Sequence, residues 1–199
     1  IGMAERTWPR LIRDYMAGCL QPVYRDDTPA EKWLAGIPVP RRDLQRHGRY
    51  VMPNTVQATR GCKRDCDFCT VPVVWPKYFR RPVADILRDI RSIPGRTFVF
   101  NDVSLAEDRD YAKELFTSLI PLGKRWGGLV TLDVTKDQEL LDLMAKSGCM
   151  YLLLGFESAS QTALKGIHKG FNRVLEYRES MKALHGRGIT VQGCFVFGF

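Results

Sequence analysis

The chain has 199 residues, about one and a third domains at roughly 150 residues each. Hydrophobic residues make up 45% and charged residues 26%, the balance of a chain that packs a core, so wholesale disorder is excluded. The formal net charge is +8, from 30 Lys and Arg against 22 Asp and Glu.

Residues Thr7 to Gly18 predict an amphipathic helix, with Trp8, Leu11, Ile12, Tyr15 and Met16 on one stripe, Thr7 as N-cap and Gly18 as stop. From Cys19 to Pro53 the chain is punctuated by Pro22, Pro29, Pro38, Pro40 and Pro53, the composition of an inter-domain strap. The domain reading is therefore residues 1–54 as a terminal helix plus linker, and 55–199 as a separate core. Strands are expected at Thr55–Thr59, Thr97–Phe100, Leu129–Leu132, Met150–Leu154 and Ile189–Phe197. Helices carry Val83, Ile86, Leu87, Ile90 and Ile93; then Tyr111, Leu115, Phe116, Leu119 and Ile120; then Leu140, Leu141 and Met144. Asn172 is expected to cap a last helix bearing Val174, Tyr177, Met181 and Leu184.

Strand and helix alternate five times, which predicts an α/β fold: a partial (β/α) barrel with five of about six βα units, cut at its C-terminus. In such barrels chemistry sits on the loops after the carboxyl ends of the strands. Arg60, Gly61 and three cysteines follow the first strand, Asn101 and Asp102 the second, Asp133 the third, and Gly155, Glu157 and Ser158 the fourth. The chain begins at Ile1 and finishes inside the strand-like run Val191–Phe199, so it reads as a piece of a longer protein. No apolar run approaches the roughly 18 residues that span a bilayer, and no basic start with an apolar stretch opens the chain. A cytoplasmic protein is expected.

Three of the six cysteines fall within eight residues, Cys62-Lys63-Arg64-Asp65-Cys66-Asp67-Phe68-Cys69, with C-x3-C-x2-C spacing. Clustered thiols in a chain without a secretory signature read as metal ligands rather than disulfides. Three thiolates can hold three irons of a four-iron cubane and leave the fourth iron open. A structural zinc site or a ferredoxin-type cluster wants a fourth ligand, for which His47 and Cys149 are candidates outside any paired motif. Cys19, Cys149 and Cys194 are otherwise read as buried small hydrophobes. Between Arg41 and Arg96 there are thirteen Lys and Arg against five Asp and Glu, which equals the whole net charge. This stretch is either a solvated basic face or the surroundings of something anionic; no nucleic-acid recognition motif accompanies it.

From Ala58-Thr59-Arg60-Gly61-Cys62 through Cys69, and in the βα repeat that follows, residues 55–199 resemble the radical S-adenosylmethionine superfamily. The resemblance implies a [4Fe-4S] cluster on Cys62, Cys66 and Cys69, with the open iron chelated by S-adenosylmethionine. It implies reductive cleavage to a 5′-deoxyadenosyl radical that takes hydrogen from an unactivated carbon. Phe68 is then expected against the adenine, Asn101-Asp102 in the place of the family's Gly-Gly-Glu motif at the methionine amino group, and Gly155, Glu157 and Ser158 at the ribose or amino group. Val196, with Phe197-Gly198, would flank the adenine. Each has an ordinary alternative: Phe68 as core, Asp102 as helix cap (although Asp108 or Asp110 stands closer), Asp133 as turn former, and Arg60 and Lys63 as neutralising charges. Glu157, straight after an apolar run, needs a partner if buried.

Upstream, Glu5-Arg6-Thr7-Trp8-Pro9-Arg10-Leu11, the Pro-punctuated strap and Pro40-Arg41-Arg42-Asp43-Leu44 are similar to the segment that joins a cobalamin-binding domain to the radical domain. That implies the cobalamin-dependent subgroup, with methyl transfer or rearrangement at carbon, the cobalamin domain itself lying outside this chain. No Asp-x-His-x-x-Gly motif is present, and His47, His168 and His185 read as surface residues. The partners implied are an unidentified small-molecule substrate and an electron donor of the flavodoxin or ferredoxin type. The rival readings are a cobalamin-independent radical enzyme modifying RNA or a metabolite, and a zinc or nucleic-acid-binding module.

Overall fold

The structure is a computed structural model that describes residues 4–26, 28, 34–46 and 48–198. His47 lies outside the described residues. The chain divides into two compact units, Ile1–Pro38 and Val39–Phe199. In the first, helix α1 spans Ala4–Met16 with Pro9 inside it. Thr7 is therefore within the helix and not its cap, while Gly18, at φ +69°, ends it as expected. The apolar stripe is real but uncovered: Trp8, Ile12, Tyr15 and Met16 are all exposed.

In the second unit, five parallel strands form one sheet in the order β1-β4-β5-β6-β7. They are β1 (Thr55–Val56), β4 (Thr97–Phe100), β5 (Arg125–Val130), β6 (Cys149–Glu157) and β7 (Thr190–Phe195). Helices α3 (Val83–Arg91), α4 (Arg109–Leu119), α5 (Gln138–Lys146) and α7 (Tyr177–His185) connect them. Each of these helices turns a periodic apolar face onto the sheet. Ile86 and Ile90 of α3, Leu115 and Phe116 of α4, Leu140, Leu141 and Met144 of α5 and Leu184 of α7 are all in the buried core. Trp126 of β5 centres the packing, stacked on Phe116 at 5.0 Å and edge-on to Phe100 at 5.3 Å. The α/β partial-barrel expectation is thus met, with every expected strand and helix present.

Several boundaries differ, each for a physical reason. The first expected strand breaks after Val56, and Thr59–Arg60 (β2) pairs antiparallel with Phe79–Arg80 (β3) in a separate hairpin. The third strand begins four residues early, where Gly127 and Gly128 mask the apolar alternation. A side chain on Gly127 would stand 3.0 Å from the Tyr151 ring on the neighbouring strand. Residues Leu132–Lys136 form a 3-10 turn instead of continuing that strand. Asp108 caps α4, accepting from the Tyr111 amide at 3.1 Å. Asn172 does not cap the last helix. Its amide donates to the carbonyls of Gly155 (2.9 Å) and Phe156 (3.5 Å), pinning the end of β6. Two short helices, α2 (Val71–Val74) and α6 (Gln161–Gly166), carry too few turns for periodicity to reveal them.

The connector residues of this unit are tied to the sheet by Arg42. Its guanidinium donates to the Thr55 carbonyl at 2.7 Å and pairs with buried Asp89 at 2.7 Å, beside Arg81 at 2.9 Å from the same carboxylate.

Candidate functional site

The cysteine loop starts at a position only glycine tolerates. Gly61 has φ +89°, and a Cβ there would stand 2.1 Å from the Lys77 carbonyl oxygen. The strand leading into it is braced by Asp102. This buried carboxylate accepts from the Ala58 amide (3.1 Å), the Thr59 amide and the Thr59 hydroxyl (2.6 Å). Burial pushes Asp102 up to about 6, against the pull of those same hydrogen bonds and of Arg81. Tyr111 adds a second brace, its hydroxyl at 3.1 Å from the Ala58 carbonyl and 2.6 Å from that of Arg81.

Within the loop, Arg64 is the cross-link. Its guanidinium stands 2.8 Å from Asp133 and 3.4 Å from Glu107 and lies over the Phe171 ring at 4.4 Å. Arg109 holds the same Asp133 oxygen at 2.8 Å, and Ser104 donates to Glu107 at 2.6 Å. Burial alone would raise the Asp133 carboxyl, but the Thr131 hydroxyl, Arg109 and Arg64 outweigh it and hold it below the usual range. Asp133 is thus a fixed anchor for the loop. Asp67, between the second and third cysteines, meets His168 at 2.6 Å.

The three thiols line one cavity of about 240 Å3 at the carboxyl ends of the strands, together with Phe68, Gly155, Glu157, Lys169 and Cys194. Burial pushes the Cys62 thiol up to about 11, with Glu107 adding to the effect; Cys66 is raised by burial too, with Lys169 opposing. No three Cys, His, Asp or Glu side chains among the described residues close on a single point as ligands of one ion. A four-iron cubane asks for another arrangement, each thiolate on its own iron, and three thiols around one cavity fit that donor set.

Phe68 is 42% exposed at the cavity, so it is not core. Glu157 ends β6 at φ +64°, a left-handed backbone that a non-glycine residue rarely adopts, and its side chain is buried. It meets the Lys169 ammonium at 2.7 Å. Gly155 makes room for the pair, since a Cβ there would stand 2.3 Å from the Glu157 carboxylate and 2.7 Å from Lys169 Nζ. Four expected site residues do not line the cavity. Asn101 is exposed and Asp102 is committed to the backbone of Ala58 and Thr59. Ser158 accepts from the Ser160 amide at 3.1 Å, and Val196 is 40% exposed, its amide donating to the Glu157 carbonyl at 2.9 Å.

Sequence reasoning missed Lys169, Arg64, Ser104 and Phe171, which line the cavity from loops without periodicity. Of the cysteines read as buried, Cys149 is buried, Cys19 is exposed and Cys194 faces the cavity from β7. A larger cleft of about 600 Å3, lined by Thr135, Lys136, Glu176 and Arg187, holds no thiol. Its charges are already paired, Lys136 with Glu176 at 2.8 Å and Arg187 with Asp142 at 2.7 Å, so the chemistry is assigned to the cysteine cavity. No helix among the described residues is long and apolar enough to cross a membrane.

Comparison with known proteins agrees with this geometry. The bacteriochlorophyllide d C-12(1)-methyltransferase of Chlorobaculum tepidum is 30% identical over 100% of this chain and 45% of its own length. The cytidylyl-2-hydroxyethylphosphonate methyltransferase of Streptomyces wedmorensis is 31% identical over 70% of this chain and 27% of its own. The chain thus spans less than half the length of these relatives. Among solved structures, the radical S-adenosylmethionine methyltransferase TsrM from Kitasatospora setae, with cobalamin and a [4Fe-4S] cluster bound, shares the fold with a TM-score of 0.64. It is 18% identical, over 73% of this chain and 31% of that one. The description of the Radical SAM superfamily matches residues 56–199, the whole run from the first strand through the cysteine loop to β7. The chain belongs to the radical SAM superfamily, a class of enzymes that use a [4Fe-4S] cluster and S-adenosylmethionine.

Proposed function

We propose that this chain is the radical core of a cobalamin-dependent methyltransferase acting at an unactivated carbon. The observation that carries the radical half is the convergence of Cys62, Cys66 and Cys69 on one cavity with Phe68 and Glu157. Cys62, Cys66 and Cys69 would hold the cluster. Bound there, it supplies the single electron that cleaves the sulfonium of S-adenosylmethionine.

The rest is the work of this chain's own side chains. Gly61, Asp102 and Arg64 hold the cysteine loop in one shape before the cluster arrives, so loading it reorganises little. Phe68 offers an exposed ring for the adenine, and Glu157 a carboxylate for hydroxyl or amino donors. The apolar walls, Val103, Leu129, Val130 and Leu153, limit water around a reactive species. Basic side chains flank the loop: Arg60 over Trp75 at 5.2 Å and Lys63 over Tyr78 at 5.5 Å. They balance an anionic cluster and suit docking of an acidic, cytoplasmic flavodoxin or ferredoxin as reductant.

Methyl transfer and cobalamin are supported by the segment before the core and by the named activities of the relatives. Anaerobic reconstitution tests the radical half. About four irons per chain, and 5′-deoxyadenosine formed from S-adenosylmethionine on reduction, are expected. Colourless protein holding one zinc overturns it. The cobalamin half is tested on the full-length protein, where stoichiometric binding of hydroxocobalamin is expected and its failure to bind ends the methyltransferase reading.

A further inference from the structure

We infer that Lys169 is the cation that recognises the carboxylate of S-adenosylmethionine, and that its ion pair with Glu157 opens by partner exchange when the cofactor binds. The inference rests on the radical SAM reading above and assigns a residue to it that no motif marks.

Two charges are buried here at one wall of the thiol cavity. The Lys169 side chain is 10% exposed and that of Glu157 8%, at 2.7 Å from each other. Taking two ions out of water costs more than their attraction commonly returns, so such a pair is a poor device for stability alone. The local structure is nevertheless arranged around it. Glu157 adopts a left-handed backbone at the strand end, and Gly155 lacks the Cβ that would collide with both partners. The Lys169 backbone is fixed on both sides, its amide donating to the Leu164 carbonyl at 2.8 Å and its carbonyl accepting from the Asn172 amide at 3.0 Å. The side chain is therefore launched from a rigid point, while its long stem leaves the ammonium free to change partners.

The two cations that line the cavity differ in kind. Arg64 is held by Asp133, Glu107 and Phe171, a set that belongs to the loop's own architecture. Lys169 makes one hydrogen bond, to Glu157, from three available donors, and lies 5.7 Å from the centre of the Phe68 ring. It is also near enough to Cys66 to oppose the rise of that thiol. A ligand seated against Phe68 and an iron held by Cys66 thus has this ammonium beside it. The methionine end of S-adenosylmethionine carries a carboxylate and an amino group on one carbon. Its carboxylate replaces the Glu157 carboxylate on Lys169, and the released Glu157 oxygens meet the cofactor's amino or hydroxyl donors. Neither buried charge is left bare at any stage.

The test is equilibrium binding to anaerobically reconstituted enzyme in its oxidised state, without turnover, of S-adenosylmethionine and of decarboxylated S-adenosylmethionine. The second probe keeps the sulfonium, adenosine and amino group and lacks only the carboxylate. Lys169→Met is expected to weaken S-adenosylmethionine by roughly tenfold to a hundredfold, the worth of a hydrogen bond to a charged group, with unchanged iron content. Decarboxylated cofactor is expected to bind the variant as well as it binds the wild type, or better, so the preference between the probes shrinks. Lys169→Arg is expected to recover part of it. If Lys169→Met leaves Glu157 buried without a partner and the protein fails to load iron, the neutral Lys169→Met/Glu157→Gln pair gives the same readout. A variant that keeps the wild-type preference overturns the assignment. Wild-type protein that loads iron but binds neither probe overturns the radical SAM reading beneath it instead.

Discussion

Asp102 is the most instructive residue to perturb, because its carboxylate is buried and yet serves as the brace of the strand before the cysteine loop. Its folded value of about 6 stands above the ordinary carboxylate value of 3.8. Between those two pH values the folded state binds the proton and the unfolded state does not, so stability falls as pH rises through that window. A gap of about 2 in pKa corresponds to about 3 kcal/mol lost between pH 4 and pH 7, of which about 1 kcal/mol falls between pH 5 and pH 7. Asp102→Asn cannot ionise, and its carbonyl still accepts from the Ala58 and Thr59 amides. The stability difference, wild type minus variant, is therefore expected to decline by about 1 kcal/mol from pH 5 to pH 7 in denaturant titrations of the two proteins. Asp133 and Asp137, whose carboxyls are held low, push stability the other way, but they are common to both proteins and cancel in the difference. Asp102→Ala strands two amides and one hydroxyl and is expected to cost about 3–6 kcal/mol at any pH. A difference between wild type and Asp102→Asn that stays flat from pH 5 to pH 7 would refute the reasoning.

Gly61→Ala drives a methyl group into the Lys77 carbonyl at a left-handed backbone position, and is expected to cost at least about 1–3 kcal/mol and to lower iron per chain after reconstitution. Wild-type iron content in that variant would show that the turn is not needed to shape the loop. In Gly155→Ala the colliding atoms are the ends of flexible side chains, so a stability change under about 1 kcal/mol is expected while the Glu157–Lys169 pair is displaced. Calorimetry should then show weakened S-adenosylmethionine binding with the cluster intact; unchanged affinity would count against the pair's role. Cys66→Ala is expected to abolish cluster loading, and Cys194→Ala, in the same cavity, to leave four irons per chain. Iron analysis and visible absorption separate the two, and cluster loss in Cys194→Ala would contradict the three-thiol assignment.

Long periodic elements were legible from the sequence because burial imposes the period. Ile86 and Ile90, Leu115 and Phe116, and the run Leu152–Leu154 mark their faces wherever the sheet covers them. The cysteine spacing was equally legible, since a local ligand set is written in consecutive residues. What escaped was settled by contacts distant in sequence. The first strand breaks because Asp102, more than forty residues away, takes the amides of Ala58 and Thr59. The same contact turns a residue expected at the cofactor into part of the scaffold. Lys169 joins Glu157 across an intervening helix and a turn with no repeat to announce it. Asn172 has the composition of a cap, and its amide is taken up instead by the end of β6.

The central claim is that three thiolates leave one iron of a cubane open to S-adenosylmethionine. Electron paramagnetic resonance of the reduced, reconstituted protein tests it directly. The account predicts a [4Fe-4S]+ signal whose g-values change when S-adenosylmethionine is added and remain fixed in Cys66→Ala, where no such signal forms. A four-iron signal indifferent to saturating S-adenosylmethionine would mean that the fourth corner is closed by the protein, and the account would fail.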